Sequence, residues 1–441
     1  MGRWVLHVDM DQFLVAVELL RRPELVGLPV VVGGRGDPTE RAVVSTASYE
    51  ARRAGARSAM AMSRARRLTP AAAVLFPRFE AYSAYSRIIM ATLGTLSELI
   101  EPLSIDEAFV DLEAGPFADD PAAAAADVRA RIRERTGLAV SIGIGRTKLV
   151  AKLASDAGKP DGLLVVEPAD EDDFLLPLPV RAVPGIGPAT AAALQRLDVR
   201  TVADLRRQEL DVLTMTVGES SGVNLFRLAR GIDPRPVAPG GERKSVGAER
   251  TFAEDIFGAE LVAAAIDRVT DEALRRLTAH GGGARTVVAK VRFADFTTLT
   301  RSVTLPQPSA EPAELRAAAH QAARAAGISD SVRLLGVSFH NLSAHAQLTL
   351  PWGDDEPAPV VVDEPSEDAP ATLGLLTEEN ARPGLDVEHP SLGRGWVVHV
   401  RGHRATVRFE SVDTPPARSQ VVDLETDPLL LVPPLTPTLD E

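Results

Sequence analysis

Trp4-Val5-Leu6-His7-Val8 is an apolar run that closes on Asp9-Met10-Asp11, and Phe13, Val17 and Leu20 then follow at helical spacing. This predicts a buried strand feeding a helix. Pro29 to Gly34 predicts a short strand closed by glycines, Val43 to Thr46 a second, and Tyr49 to Arg53 the opening of a helix. Phe79 to Leu99 is a long helical stretch, Asp127 to Thr136 a basic amphipathic helix, and Leu138 to Gly145 a strand. Residues 166–232 read as all-helical, and 233–242 as a Pro/Gly linker stiffened by proline. Beyond it come a basic strand (Lys244 to Phe252), a helix (Ala259 to Ala279), strands at Thr286 to Phe293 and Leu299 to Leu305, a helix near Pro312 to Ala326, and a strand at Val332 to Phe339. Gly353 to Ala371 is acidic and Pro-rich, the composition of a disordered linker. Residues 385–433 alternate apolar and polar positions between glycine turns, which predicts a small β-barrel.

At 441 residues the chain is too long for one core, so the expectation is an α/β (α+β) multidomain protein. The net charge of −13 argues at first against a nucleic-acid partner. Its distribution reverses that: residues from Gly353 onward hold 18 acidic and 6 basic groups, and the first 352 residues hold 43 and 42. The body is balanced enough to carry a basic groove. The absence of cysteine excludes disulfides and thiolate metal sites. Neither an eighteen-residue apolar run nor a secretory signal is visible, so a cytoplasmic protein is expected.

The candidate chemistry is carboxylate. Asp106 and Glu107, in Ser104-Ile105-Asp106-Glu107-Ala108-Phe109-Val110-Asp111, are adjacent acids near a turn after Glu101-Pro102-Leu103. Side chains alternate faces along a regular strand, so a turn is needed for both to reach one site. Carboxylates held together repel unless a cation lies between them. Oxygen ligands completed by substrate phosphates suit Mg²⁺. Asp9 adds a third carboxylate, and the set has the composition of a two-metal site for in-line phosphoryl or nucleotidyl transfer.

The chain resembles the Y-family DNA polymerases, in particular the DNA polymerase IV group of translesion enzymes. The resemblance rests on His7 to Phe13, Val43 to Arg52, Ser104 to Phe109, Ser141 to Gly145, Lys152 to Asp156 and Pro184 to Gly187, which occur in the family's order. It covers roughly the first 345 residues. It implies a right-handed polymerase: a palm over 1–165 with fingers inserted at about 20–77, a thumb over 166–232, a linker over 233–243 and a little finger over 244–343. Asp9, Asp106 and Glu107, with the Met10 carbonyl, would hold two Mg²⁺ ions, with Mn²⁺ as the alternative.

The resemblance also assigns Phe13, Leu14, Thr46, Tyr49, Arg52 and Lys159 to the nucleotide. Pro184-Gly185-Ile186-Gly187 reads as a helix-hairpin-helix whose glycines bring backbone N–H groups close to a phosphate. Arg243, Lys244, Arg250, Arg292 and Arg301 are candidate phosphate contacts. Gln347, Leu348, Leu350 and Trp352, within 345–352, are similar to a sliding-clamp peptide. An acidic linker over 353–384 and a Tudor-like or SH3-like module over 385–433 would follow, the module docking an unknown protein partner.

One departure carries a prediction. The family places Phe or Tyr, the steric gate against a 2′-OH, where this chain has Leu14, so tolerance of ribonucleotides is expected. The expected partners are primer-template DNA, dNTPs with rNTPs, and the sliding clamp; a bacterial, nucleoid-associated monomer off the membrane is expected. No carboxylate motif suggests a 3′→5′ exonuclease, so the expected enzyme is distributive and of low fidelity. A catalytically weak DNA-binding scaffold and a palm-type cyclase are the competing classes. The intact acids argue against the first, and the duplex-gripping pattern argues against the second.

Overall fold

The computed structural model describes residues 3–34, 41–115, 117, 119–241, 243–328, 331–343, 374–409 and 419–433. The chain opens with β1 (Val5–Met10) and α1 (Phe13–Leu20). A small unit is then inserted: β2 (Val30–Gly33), β3 (Val44–Ala47), α2 (Tyr49–Arg53), α3 (Met62–Leu68) and β4 (Ala73–Leu75). Its three strands lie in the order β3-β2-β4 around a separate core of Val31, Val44, Met62 and neighbouring alanines.

The chain returns through α4 (Phe79–Leu93), β5 (Ile100–Pro102), β6 (Glu107–Asp111), α5 (Pro121–Thr136), β7 (Val140–Gly145), α6 (Lys148–Gly158) and β8 (Leu163–Val165). The main sheet runs β5-β6-β1-β7-β8, which puts β1 in the middle, antiparallel to both neighbours. A central strand covered on both faces must be apolar throughout, and Val5, Leu6 and Val8 are buried. Gly143 lets α6 lie directly on β7: a Cβ there would come within 2.1 Å of the Ala151 carbonyl oxygen and the Ser155 nitrogen. That close packing sets how near α6 brings its polar groups to β1.

Five helices follow: α7 (Glu171–Leu175), α8 (Pro188–Gln195), α9 (Val202–Arg206), α10 (Leu210–Val217) and α11 (Glu219–Leu228). The expected Pro/Gly tether lies against the main sheet. Val237 is buried with Val5, Phe109 and Ala151, and Asp233 accepts the Leu149 N–H at 3.1 Å.

The next unit is β9 (Ser245–Ile256), α12 (Ala259–His280), β10 (Gly283–Phe293), β11 (Thr298–Ser309), α13 (Pro312–Ala325) and β12 (Val332–Ser343). Its sheet order is β11-β10-β12-β9, every pair antiparallel. Both helices cover one face, where Val287, Val291, Val337 and Phe339 meet Ile266, Leu277 and Leu315.

The last unit comprises β13 (Asp386–His389), β14 (Gly393–Arg401), β15 (Arg404–Arg408), β16 (Ser419–Asp423) and β17 (Leu430–Leu431). The alternating pattern led to an expected barrel. Instead the strands form an open sheet, β16-β15-β14-β13-β17, whose outer strands do not pair among the described residues. Alternation reports one buried face and is silent on closure. The unit also starts earlier than residue 385, because Leu376 and Ala381 are buried in its core.

Candidate active site

Asp9 of β1 stands opposite Glu107 of β6. Directly paired antiparallel residues point to the same face, and His7, two positions back, shares it. Ligand atoms of His7, Asp9 and Glu107 all lie within 4.8 Å of one another. Asp106 occupies the turn before β6: its carbonyl accepts the Met10 N–H at 3.0 Å, and its carboxylate accepts from Ser104 Oγ at 2.5 Å. Its backbone is thus locked beside Met10, while its side chain lies outside the three-residue cluster.

Each clustered carboxylate carries a lysine. Lys159 Nζ donates to Asp9 at 2.6 Å and to Asp156 at 2.9 Å, and Lys152 Nζ pairs with Glu107. Glu107 also meets His7 Nε2 at 2.6 Å. The His7 hydrogen bond, aided by Lys152, lowers the Glu107 carboxyl to about 2. Burial pushes Asp9 upward and outweighs the pull of Lys159. Burial also lowers His7, whose Nδ1 lies 2.6 Å from Ser155 Oγ on α6. Hard oxygen donors with an ionised acid at neutral pH fit a hard divalent cation. Neither Lys152 nor His7 is among the site residues expected from the sequence.

Asp11 is a hub that the sequence reading left unassigned. Buried at 4% exposure, it accepts from Tyr49 Oη at 2.8 Å, from Ser141 Oγ at 3.1 Å and from the Asp161 N–H at 2.6 Å. It therefore ties the inserted unit and the loop after Lys159 to β1. Gln12 completes the link: its Oε1 accepts the Tyr49 N–H at 2.8 Å. Burial and the Asp11 hydrogen bond push the Tyr49 phenol well above its ordinary value.

Tyr49 and Arg52 share one face of α2, the guanidinium 5.5 Å from the ring centroid, and Arg52 Nε donates to the Ala47 carbonyl at 2.9 Å. Thr46 is half-buried on the adjoining strand β3. Leu14 is 7% exposed in the first turn of α1 and belongs to the main core. Phe13 is 1% exposed and packs edge-on against Tyr82, so its ring belongs to the core and only its backbone is left for a nucleotide.

Gly185 has φ +92 and Gly187 precedes α8, and neither would meet an atom within 4 Å on gaining a Cβ. The bare backbone there suits approach to a phosphate. The basic residues of the second α/β unit do not form one row. Arg292 and Lys290 lie on the face away from the helices, in register with Leu334 and Gly336. Arg250 and Arg301 pair with the buried Leu335 and Ala289, which places them on the helix-covered face, and Arg250 pairs with Glu272 of α12. Strand alternation separates what sequence proximity groups. Lys244 and Arg243 are exposed ahead of β9. Gln347, Leu348, Leu350 and Trp352 lie outside the described residues.

Residues 8–156 match the impB/mucB/samB family, residues 243–350 that family's C-terminal domain, and residues 181–233 the DNA polymerase-iota thumb domain. DNA polymerase IV of Streptomyces coelicolor is 44% identical over 416 residues, 92% of this chain and 85% of the relative. DNA polymerase IV of Corynebacterium diphtheriae is 38% identical over 442 residues, 96% of each chain. A Y-family DNA polymerase chimera superposes with a TM-score of 0.71 at 27% identity, covering 77% of this chain and 99% of its own. An insertion ternary complex of Dbh DNA polymerase gives 0.57 at 26% identity, with the same coverage. The chain belongs to the Y-family DNA polymerases, in the DNA polymerase IV group, and is a DNA-directed DNA polymerase of the translesion type.

Proposed function

We propose that this polymerase extends primer-template DNA with low fidelity by a two-metal nucleotidyl transfer and admits ribonucleotides as well as dNTPs. The observation that carries the reading is the meeting of Asp9 and Glu107 across the β1–β6 register, with Lys159 on Asp9 and Tyr49 bound to nearby Asp11. The main sheet is then the palm, the inserted unit the fingers, the five-helix unit the thumb and the second α/β unit the little finger.

Asp9, Asp106 and Glu107, with the Met10 carbonyl, would hold divalent ions, Mg²⁺ first, which supply charge neutralisation and a more acidic primer 3′-OH. Glu107 is ionised well below neutral pH, so it needs no deprotonation before taking up a cation. Lys152 and Lys159 keep the paired acids from repelling until then. Lys159, Arg52 and Tyr49 would turn toward the triphosphate, with Thr46 on the neighbouring strand. The thumb glycines and the open sheet face would grip DNA through phosphates, contacts that ignore sequence and suit a polymerase.

Leu14 supports ribonucleotide entry. An aliphatic chain that lies mostly in the palm core leaves less surface against the sugar than a ring would.

Primer extension with Mg²⁺, dNTPs and rNTPs in parallel tests the reading. Extension with both is expected, and Asp106→Ala and Glu107→Ala should each abolish it. Unchanged extension by either variant would exclude that residue from the site.

A further inference from the structure

The inserted fingers unit leaves the palm after α1 and returns just before α4, and one buried cluster binds both crossings. Arg22 follows α1 and Arg78 precedes α4. Both guanidiniums converge on Glu18, which is 0% exposed: Arg22 through Nη1, and Arg78 Nη2 at 2.9 Å. Tyr82 Oη donates to the same carboxylate at 2.6 Å. Two buried cations on one carboxylate leave a surplus positive charge, and uncompensated buried charge is strongly unfavourable.

The C-terminal sheet supplies the missing partners. Asp386 accepts from Arg78 Nη1 at 2.5 Å, and the Gly384 carbonyl accepts from Arg22 Nη2 at 3.1 Å. The Trp396 ring lies 4.5 Å from the Arg22 guanidinium, and Trp396, only 5% exposed, belongs to the palm core cluster. The Phe76 N–H, just past β4, donates to the Pro383 carbonyl at 3.0 Å. Docked here, the sheet supplies a second carboxylate against Arg78 and a carbonyl acceptor for Arg22.

We infer that Asp386 and Trp396 are positioning residues for nucleotide incorporation: through Arg78 and Arg22 they hold the fingers at the angle that keeps Tyr49 on Asp11, two residues from Asp9, with Arg52 on the same helix face. The occupant of this face is the chain's own C-terminal module, acting in cis. The inference rests on the reading that Tyr49 and Arg52 receive the triphosphate.

The absence of native cysteine permits a direct test in the full chain. Phe76→Cys with Pro383→Cys should be joined by a short bis-maleimide with dNTP extension retained. Failure to join means the module is not docked and overturns the inference, whatever the fingers bind. Asp386→Ala and Trp396→Ala should lower dNTP kcat/KM about 10- to 100-fold, mainly through KM, as expected when a positioning contact slips away from the chemistry. The primer-template Kd should not move. Asp386→Asn, which keeps volume and an acceptor, replaces Asp386→Ala if that variant does not fold. In an Arg78→Met background the Asp386 substitution should add nothing, whereas additive losses or an unchanged KM would overturn the inference. If Tyr49→Phe and Arg52→Ala leave the dNTP KM unaltered, the nucleotide reading is what fails.

Discussion

Arg78 and Asp386 stand 308 positions apart in the chain, and their charged groups meet at 2.5 Å. On its other side Arg78 holds Glu18, so one guanidinium joins α1, the return from the inserted unit and the C-terminal sheet. This contact ties the described C-terminal sheet to the main-sheet unit.

The Glu18 cluster sets an acid limit on stability. Burial alone would raise the Glu18 carboxyl, but Arg22 and Arg78 outweigh it and hold the group below its ordinary 4.5. A depressed acid contributes stability that is fully present above 4.5 and is lost as pH falls through the lower folded value. Thermal melting between pH 7 and pH 3 should show Tm falling below pH 4.5. Glu18→Gln should flatten that fall and cost about 3–5 kcal/mol at pH 7, because two buried guanidiniums lose their anion. A variant melting like the parent across the range would contradict the cluster's role.

Asp11 holds Tyr49 and the Lys159 loop together but lies outside the His7–Asp9–Glu107 cluster. Asp11→Asn must turn an amide donor toward one of three donors that now point at the carboxylate. Supporting partners of this kind typically cost about 10- to 100-fold when changed. The expected loss is in dNTP kcat/KM, with the primer-template Kd constant; single-nucleotide kinetics and DNA titration measure both.

Leu14→Phe should restore the barrier to a 2′-OH. Steric discrimination in a pocket is worth about 10- to 200-fold, so the rNTP/dNTP ratio of kcat/KM should fall by that order while dNTP use persists. An unchanged ratio would show that Leu14 does not govern sugar choice.

Gln347 and Leu348 carry the clamp reading. Changing both to Ala should remove stimulation of primer extension by a bacterial sliding clamp and leave clamp-free extension intact. Equal stimulation of parent and variant would sink the assignment.

Much of this molecule was legible before any coordinates. The strand-to-helix opening, the acid pair after a proline-marked turn and the helix-hairpin-helix glycines are local signals, set by side-chain period and backbone freedom. They sufficed to single out Asp9, Asp106 and Glu107 as candidates, while the family followed from the resemblance of six motifs in a fixed order. Tertiary structure decided what depends on register and on contacts between distant segments. It bonded Asp106 to Ser104 while pairing Asp9 with Glu107, set His7 of β1 against Glu107, and drew Lys152 to that pair through α6 packed on Gly143. It parted Arg292 from Arg250 and Arg301, since one residue of register moves a side chain to the opposite face. It also seated the C-terminal sheet on Arg22 and Arg78, because partners for a buried charge are chosen by proximity in space, and neither composition nor periodicity encodes that distance.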